Sequence, residues 1–322
     1  MVENKRILIT GGAGFIGSHI ADLLKAKNEV VVLDNLSAGR EENIAGLKLI
    51  KKNVENVGKK DIQDFDIVIH TAAQVSTFLS VDYPSKDFKS NCLGTFKLFE
   101  ACRKWNDDAL IVYTSSRSVL GEIPEPKIAD ESFPYNPSTF YNVHKIYGEL
   151  LTKIYSELYG MKFITLRPSN VYGPRQPYWM RGWYNFISYW IMLALLNKPI
   201  PIYGTGEQIR DYTYVEDVAN AYVLALDNQK AIGETFLLAY GKGHSLNELA
   251  DLIIKLTGSS SKKEYLPPRK GDIKRFVGSH EKAEKILGWV PKTSLEEGLK
   301  KEIEWCKQEL KEMPEFVQKA IS

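Results

Sequence analysis

Tyr141 and Lys145 stand four residues apart in "STFYNVHKIYGE", a spacing that brings a phenol and an ammonium to one face of a helix. A free phenol titrates near ~10 and is a poor base at neutral pH. A neighbouring positive charge favours the phenolate. Such a pair suits removal of a proton from an alcohol while hydride leaves the carbon that bears it. The same chemistry needs a hydroxyl to orient the alcohol, and "YTSSRSVLG" offers Ser115, Ser116 and Ser118.

It also needs a hydride acceptor. "RILITGGAGFIGSHIADLL" places Gly11, Gly14 and Gly17 between a strand and a helix, the context in which glycines let the backbone approach a pyrophosphate at a helix N-terminus. The next strand, "EVVVLDN", ends in Asp34, where a carboxylate accepts from adenosine ribose hydroxyls and repels a 2′-phosphate. NAD is therefore expected over NADP, with Arg40 the nearby cation that could tolerate such a phosphate. Asn53 and Val54 close the third strand pattern, and Thr71, Ala72 and Ala73 the fourth. Carboxyl ends of parallel strands are where open sheets bind ligands.

The elements that must hold these residues are legible as alternation. "RILIT", "EVVVL", "KLIKKNV", "DIVIH", "ALIVYTSS" and "KFITLRP" are separated by helical patterns, which predicts a doubly wound parallel α/β sheet of the Rossmann type. In the Tyr141 helix, Val143, Ile146, Leu150, Ile154 and Leu158 form one apolar stripe, with Pro137 before it and Gly160 after it. Past Gly173, prolines and aromatics mark a second, smaller mixed α/β lobe. "RDYTYVEDVANAYVLAL" and "GETFLLAY" read as a strand, helix and strand that could rejoin the first sheet. Residues 1–173 with 211–240 are thus expected to bind the dinucleotide, and 174–210 with 241–322 the substrate.

With 42 basic against 40 acidic residues, the formal charge of +2 argues for neither a nucleic-acid footprint nor an anionic membrane surface. The apolar stretch at 183–196 carries Asn185 and Ser188 and is shorter than the ~20 residues of a membrane span. Cys92, Cys102 and Cys306 read as buried fillers in a reducing compartment, and the N-terminus enters a strand at once, so cytoplasmic residence is expected. The five histidines have no metal-ligand spacing, and no metal is expected. Trp179 or Trp183 could stack on a base or seal the interface between lobes.

"TGGAGFIG", "DNLSAG", "NCLGTFKLFEAC", "YTSSRSVLG", "YNVHK", "LRPSNVYGPRQ", "GTGEQIRDYTYVEDVA" and "RKGD" occur in one order across nearly all of the chain. Together they resemble the extended short-chain dehydrogenase/reductases, specifically the NAD-dependent nucleotide-sugar epimerase/dehydratase group, and most closely the UDP-glucose (galactose) 4-epimerases. The resemblance implies Ser116, Tyr141 and Lys145 as the catalytic residues. It extends the cofactor contacts to Phe15, Ile16, Asn35, Ser37, Gly39, Gln74, Asn91, Ser115 and Pro168. It implies Asn170, Arg210, Arg269 and Asp272 on the sugar diphosphate side, transient oxidation at C4, and a homodimer pairing the helix around 86–104 with the Tyr141 helix.

Some positions depart from that pattern. Arg117 and Ser118 stand where dehydratases of the group carry an Asp-Glu pair, which disfavours dehydration and decarboxylation. Leu120, Pro168 and Asn53 replace a tyrosine, a tyrosine and an aspartate usual in 4-epimerases. A UDP-glucuronate 4-epimerase, a CDP-tyvelose-type 2-epimerase, a net NAD-dependent dehydrogenase and a silent NAD sensor stay open. Phe276 aligns with a position that limits bulk near the sugar C2, which suggests plain hexoses over N-acetylated ones.

Overall fold

The structure, a computed structural model, describes residues 2–178 and 186–313; Trp179 and Trp183 lie outside them. The first six strands are β1 (Arg6–Thr10), β2 (Glu29–Asp34), β3 (Lys48–Lys51), β4 (Ile67–His70), β5 (Leu110–Thr114) and β6 (Lys162–Pro168). The central ones are buried along almost their whole length, as continuous apolar runs require when helices cover both faces of a sheet. The third strand is shorter than its sequence pattern: it ends at Lys51, and Asn53 and Val54 open a turn beyond it.

Six further strands follow: β7 (Asn170–Tyr172), β8 (Ile200–Tyr203), β9 (Ile209–Tyr214), β10 (Thr235–Leu238), β11 (Gly243–Ser245) and β12 (Lys263–Leu266). The main sheet runs β10-β6-β5-β4-β1-β2-β3, with every pairing parallel. The chain leaves β1 toward β3 and returns on the other side with β4. The loops after β1 and β4 therefore diverge, which opens a crevice at their carboxyl ends.

The later segment returns to this sheet in part. Helix Val215–Leu226 packs on helix Phe15–Leu24, and β10 fills the free edge of β6. With that edge taken, β9 joins β7 and β11 in a separate three-stranded sheet, while β8 pairs with β12. Asp211 of β9 accepts backbone N–H groups from Tyr240, Gly241 and Gly278 at 2.9, 3.0 and 3.1 Å, so one buried carboxylate braces two loops. The three cysteines are buried free thiols. No helix among the described residues is long and apolar enough to cross a membrane.

Helix Phe140–Tyr159 starts at Thr139, whose N–H donates to Asn142 Oδ1 at 3.0 Å, and ends at Gly160 in the left-handed region at φ 70°. Its amphipathicity is inverted. Tyr141, His144, Lys145, Gly148, Glu149 and Thr152 are buried, whereas Val143, Leu150, Ile154 and Leu158 of the apolar stripe face outward. Polar burial is tolerated because each group is met. Glu149 accepts from Arg167 Nε and Nη2 at 2.9 and 2.7 Å, from Tyr135 at 2.8 Å, and from Ser115. Lys145 Nζ donates to Thr114 O at 2.8 Å. Gly148 is required here, because a Cβ would lie 2.0 Å from Tyr113 Oη on β5.

Under the second lobe, Glu302 of helix Leu295–Glu312 is fully buried, in contact with the Ser188 hydroxyl and the Gly173 N–H. Burial pushes its carboxyl up to about 8. The folded chain thus holds a proton that the unfolded chain releases near the ordinary carboxylate value of ~4.3, so folding is favoured at low pH and loses stability as pH rises toward 8. Glu302→Gln, which keeps the shape and removes the titration, is expected to melt increasingly above wild type between pH 6 and pH 9. A gap that stays constant across that range, measured by scanning calorimetry, would refute the assignment.

Candidate active site

A single cavity of about 740 Å³ spans the carboxyl ends of the main sheet and the face of the second lobe. At one end lies the glycine turn. Gly11 sits at φ 72°, where a Cβ would come within 2.6 Å of Ala72 N, and a Cβ on Gly17 would come within 2.5 Å of Gly11 O. No side chain caps the helix that begins at Phe15, so its first N–H groups point unpaired toward the cavity, an anion site made of backbone alone. Gly14, Phe15 and Ile16 line it.

Asp34 also lines the cavity. Its carboxylate accepts from Ala13 N at 3.1 Å and Leu36 N at 2.8 Å, and burial pushes it up from the ordinary aspartate value. Arg40, the cation that could have tolerated a 2′-phosphate, is turned away: it pairs with Glu309 at 2.6 Å and donates to Tyr178 at 3.2 Å. Asn35, Ser37, Gly39, Val54, Thr71, Ala72 and Ala73 continue the wall. A dinucleotide fits this end: the turn admits only backbone, and a carboxylate faces the ribose position.

Three positions expected as cofactor contacts stand behind the wall. Asn53 Oδ1 accepts from Asn35 Nδ2 at 2.8 Å. Gln74 and Asn91 bond to one another, N to Oδ1 at 2.9 Å and Nδ2 to O at 2.8 Å, and both reach the buried Asp87 carboxylate, which also holds His144. Gln74 and Asn91 shape the loop after β4, and Asn53 the turn after β3.

Ser115, Ser116, Tyr141, Lys145 and Pro168 meet midway along. The Tyr141 phenol is in hydrogen-bond contact with the Ser116 side chain, whose Oγ also accepts from Ser118 Oγ at 2.9 Å. Burial pushes the phenol well above its usual value, and the Ser116 bond opposes that rise. Lys145 Nζ lies 5.9 Å from the Tyr141 ring centre, and burial pulls its ammonium down to about 8. The protein's own groups therefore keep the phenol protonated at neutral pH. Lowering it falls to a positive charge brought in with the dinucleotide.

Toward the second lobe, Asn170 Nδ2 donates to Asp211 O at 3.1 Å. Arg210 lines the cavity with its guanidinium tied to Asp272 and to Ile273 O, so Asp272 positions Arg210. Arg269 is clasped between Tyr203 and Phe78, 3.5 and 4.6 Å from the ring centres. Phe276 does not reach the cavity. Its ring is fully buried under the Arg117 guanidinium at 4.9 Å, and Arg117 faces the space instead, donating Nη2 to Asn170 Oδ1 at 3.1 Å.

Sequence reasoning missed several lining residues: Tyr189 and Leu193 on helix Phe186–Leu195, Lys198, Pro199, Leu246, Glu264 and Leu266. They gather only because β12 pairs with β8 across some sixty residues of chain, and no local signal marks that pairing. Arg117 was visible as a departure in type, not as a wall residue.

Comparison with known proteins agrees with this geometry. Residues 7–239 match the NAD dependent epimerase/dehydratase family. A UDP-glucose 4-epimerase of Mycolicibacterium smegmatis is 36% identical over 93% of this chain and 98% of its own. The crystal structure of a UDP-glucose 4-epimerase from Thermotoga maritima with UDP-glucose superposes with a TM-score of 0.88, at 34% identity, over 95% of this chain and 99% of that one. That of a UDP-glucuronic acid 4-epimerase from Bacillus cereus with UDP-glucuronic acid and NAD gives 0.87, at 30% identity, over 94% and 99%. With sequence and fold matching over almost its full length, the chain belongs to the NAD-dependent epimerase/dehydratase family.

Proposed function

We propose that this protein is an NAD-dependent nucleotide-sugar 4-epimerase acting on UDP-hexoses such as UDP-glucose and UDP-galactose. The observation that carries this reading is that Ser116, Tyr141 and Lys145 line the same cavity as the glycine turn at one end and Arg210 and Arg269 at the other. Residues 1–173 with 211–240 hold the dinucleotide, and 174–210 with 241–322 the nucleotide sugar. Strand β9, which straddles residue 211, belongs to the smaller three-stranded sheet.

Gly11, Gly14 and Gly17 with the N–H groups of Phe15 and Ile16 hold the pyrophosphate, Asp34 the ribose hydroxyls, and Val54 packs on the adenine. NAD, when bound, supplies reversible acceptance of a hydride at the sugar C4 and is regenerated in each cycle. Tyr141 Oη takes the proton of the C4 hydroxyl and later restores it, while Ser116 Oγ orients that hydroxyl. Lys145, fixed on Thr114 O, keeps a positive charge near the phenol and reaches toward the nicotinamide ribose. Arg210 and Arg269 meet the diphosphate with guanidinium forks, and Asn170 lies between them and the sugar. Arg117 and Ser118 directly follow Ser116 in place of an Asp-Glu pair, which disfavours dehydration.

Residence in the cytoplasm and assembly as a homodimer belong to the same reading. The outward stripe of Val143, Leu150, Ile154 and Leu158 is exposed, and the segments that pack against its helix carry exposed Phe88 and Phe96. Exposed apolar side chains gathered on neighbouring helices suit an interface, and a second copy presenting the same face would cover them by two-fold symmetry.

Tyr141→Phe is expected to lower kcat by about 10²–10⁴-fold while the protein still binds NAD, read by NMR of the converted sugar and by NAD retention. Undiminished turnover would refute the base assignment. Steady NADH accumulation at 340 nm with the wild-type protein would instead show a net dehydrogenase. The double variant Leu150→Glu, Ile154→Glu is expected to elute at the 36.5 kDa monomer mass in light scattering while wild type elutes at twice it; equal masses would overturn the dimer.

A further inference from the structure

Arg117 is a cavity residue that, among the described residues, has no carboxylate in direct contact; Asp272 and Asp211 act on its charge only from farther off. Its guanidinium donates to Asn170 Oδ1 at 3.1 Å and lies on the fully buried Phe276 ring at 4.9 Å. Neighbouring arginines differ: Arg167 is bonded to Glu149 at 2.7 Å and Arg210 to Asp272 at 2.5 Å. Burial and repulsion from Arg210 pull Arg117 down to about 9. A half-buried cation with no carboxylate in direct contact is incompletely offset, and an anion arriving with a ligand supplies the missing contact.

The position of Arg117 says where such an anion sits. It follows Ser116, whose side chain contacts the Tyr141 phenol, and its own charge acts on that phenol. It therefore stands at the reacting end, beside the sugar ring. Arg269, held by Tyr203 and Phe78, and Arg210 supply cations for the diphosphate. The Phe276 platform and the Asn170 bond fix the plane of the fork, and a fork of fixed plane matches the two oxygens of a carboxylate. A hydroxymethyl group can accept one neutral hydrogen bond there and leaves the charge unmet.

We propose that Arg117 reads a carboxylate on the sugar, so that this cavity epimerises UDP-hexuronates as well as neutral UDP-hexoses. The inference rests on the 4-epimerase reading above. It is tested by measuring kcat/KM for UDP-glucuronate and UDP-glucose with wild type, Arg117→Met and Arg117→Lys, and by calorimetric titration of each protein with UDP. Wild type is expected to convert UDP-glucuronate at least as efficiently as UDP-glucose. Arg117→Met should lose about 30-fold or more on the uronate, clearly more than on UDP-glucose, and still bind UDP as wild type does. Arg117→Lys, which keeps the charge and loses the fork, should retain part of the uronate activity, and this keeps the test decisive if the methionine variant fails to fold.

Equal losses on both substrates, or weakened UDP binding, would assign Arg117 to the diphosphate and overturn the proposal. So would a wild-type protein that converts UDP-glucose and leaves UDP-glucuronate untouched. Failure to convert any nucleotide sugar would remove the epimerase reading itself.

Discussion

The ion pair between Glu149 and Arg167 is the constraint on which the site depends. Both side chains are almost fully buried, at 4% and 5% exposure, and Glu149 is held from three elements: Arg167 on β6, Ser115 beyond β5, and Tyr135 in the loop ahead of its own helix. Removing one partner of such a pair strands a buried charge, typically at about 3–5 kcal/mol. Lys145 lies one turn before Glu149 and Tyr141 one turn before that. Locking Glu149 to the sheet therefore sets the rotation of the helix and with it the aim of both side chains.

That lock reverses the usual logic of an amphipathic helix. A helix ordinarily turns its apolar stripe to the core, but the face buried here carries Tyr141, His144, Lys145 and Glu149, each matched by a specific partner. Val143, Leu150, Ile154 and Leu158 of the apolar stripe are left outside. Gly148 completes the arrangement by letting the helix lie against Tyr113; the backbone approach that Gly148 permits is what lets Lys145 reach Thr114 O. The site and the exposed stripe are thus two consequences of one packing decision.

Electrostatics along the cavity follow from the same economy of counter-charges. Asp34 lines the cavity near the glycine turn with its carboxylate satisfied by backbone N–H groups, and Arg40 is held by Glu309. Arg210 is balanced by Asp272, while Lys145 and Arg117 are not balanced by any carboxylate in direct contact among the described residues. Positive charge is consequently left where a phenolate and anionic oxygens of a ligand would stand. Low-dielectric walls make such fixed charges count for more than they would in water.

Much of this was legible in the sequence, because it depends on contacts within a few residues or on strict period. The glycine turn, Asp34 at a strand end, the i, i+4 pair of Tyr141 and Lys145, and the alternation that builds a parallel sheet all fall in that class. Even the motif order that marks the family is a property of the linear chain. What the tertiary structure decided was direction and distant pairing: which face of the Tyr141 helix is buried, that β9 leaves the main sheet, that Asn53, Gln74 and Asn91 stand behind the wall, and that Arg117 covers Phe276. Periodicity reveals that a helix has two faces, but the choice between them was made by a glutamate meeting an arginine eighteen residues on, a contact that exists only once the sheet has brought them together.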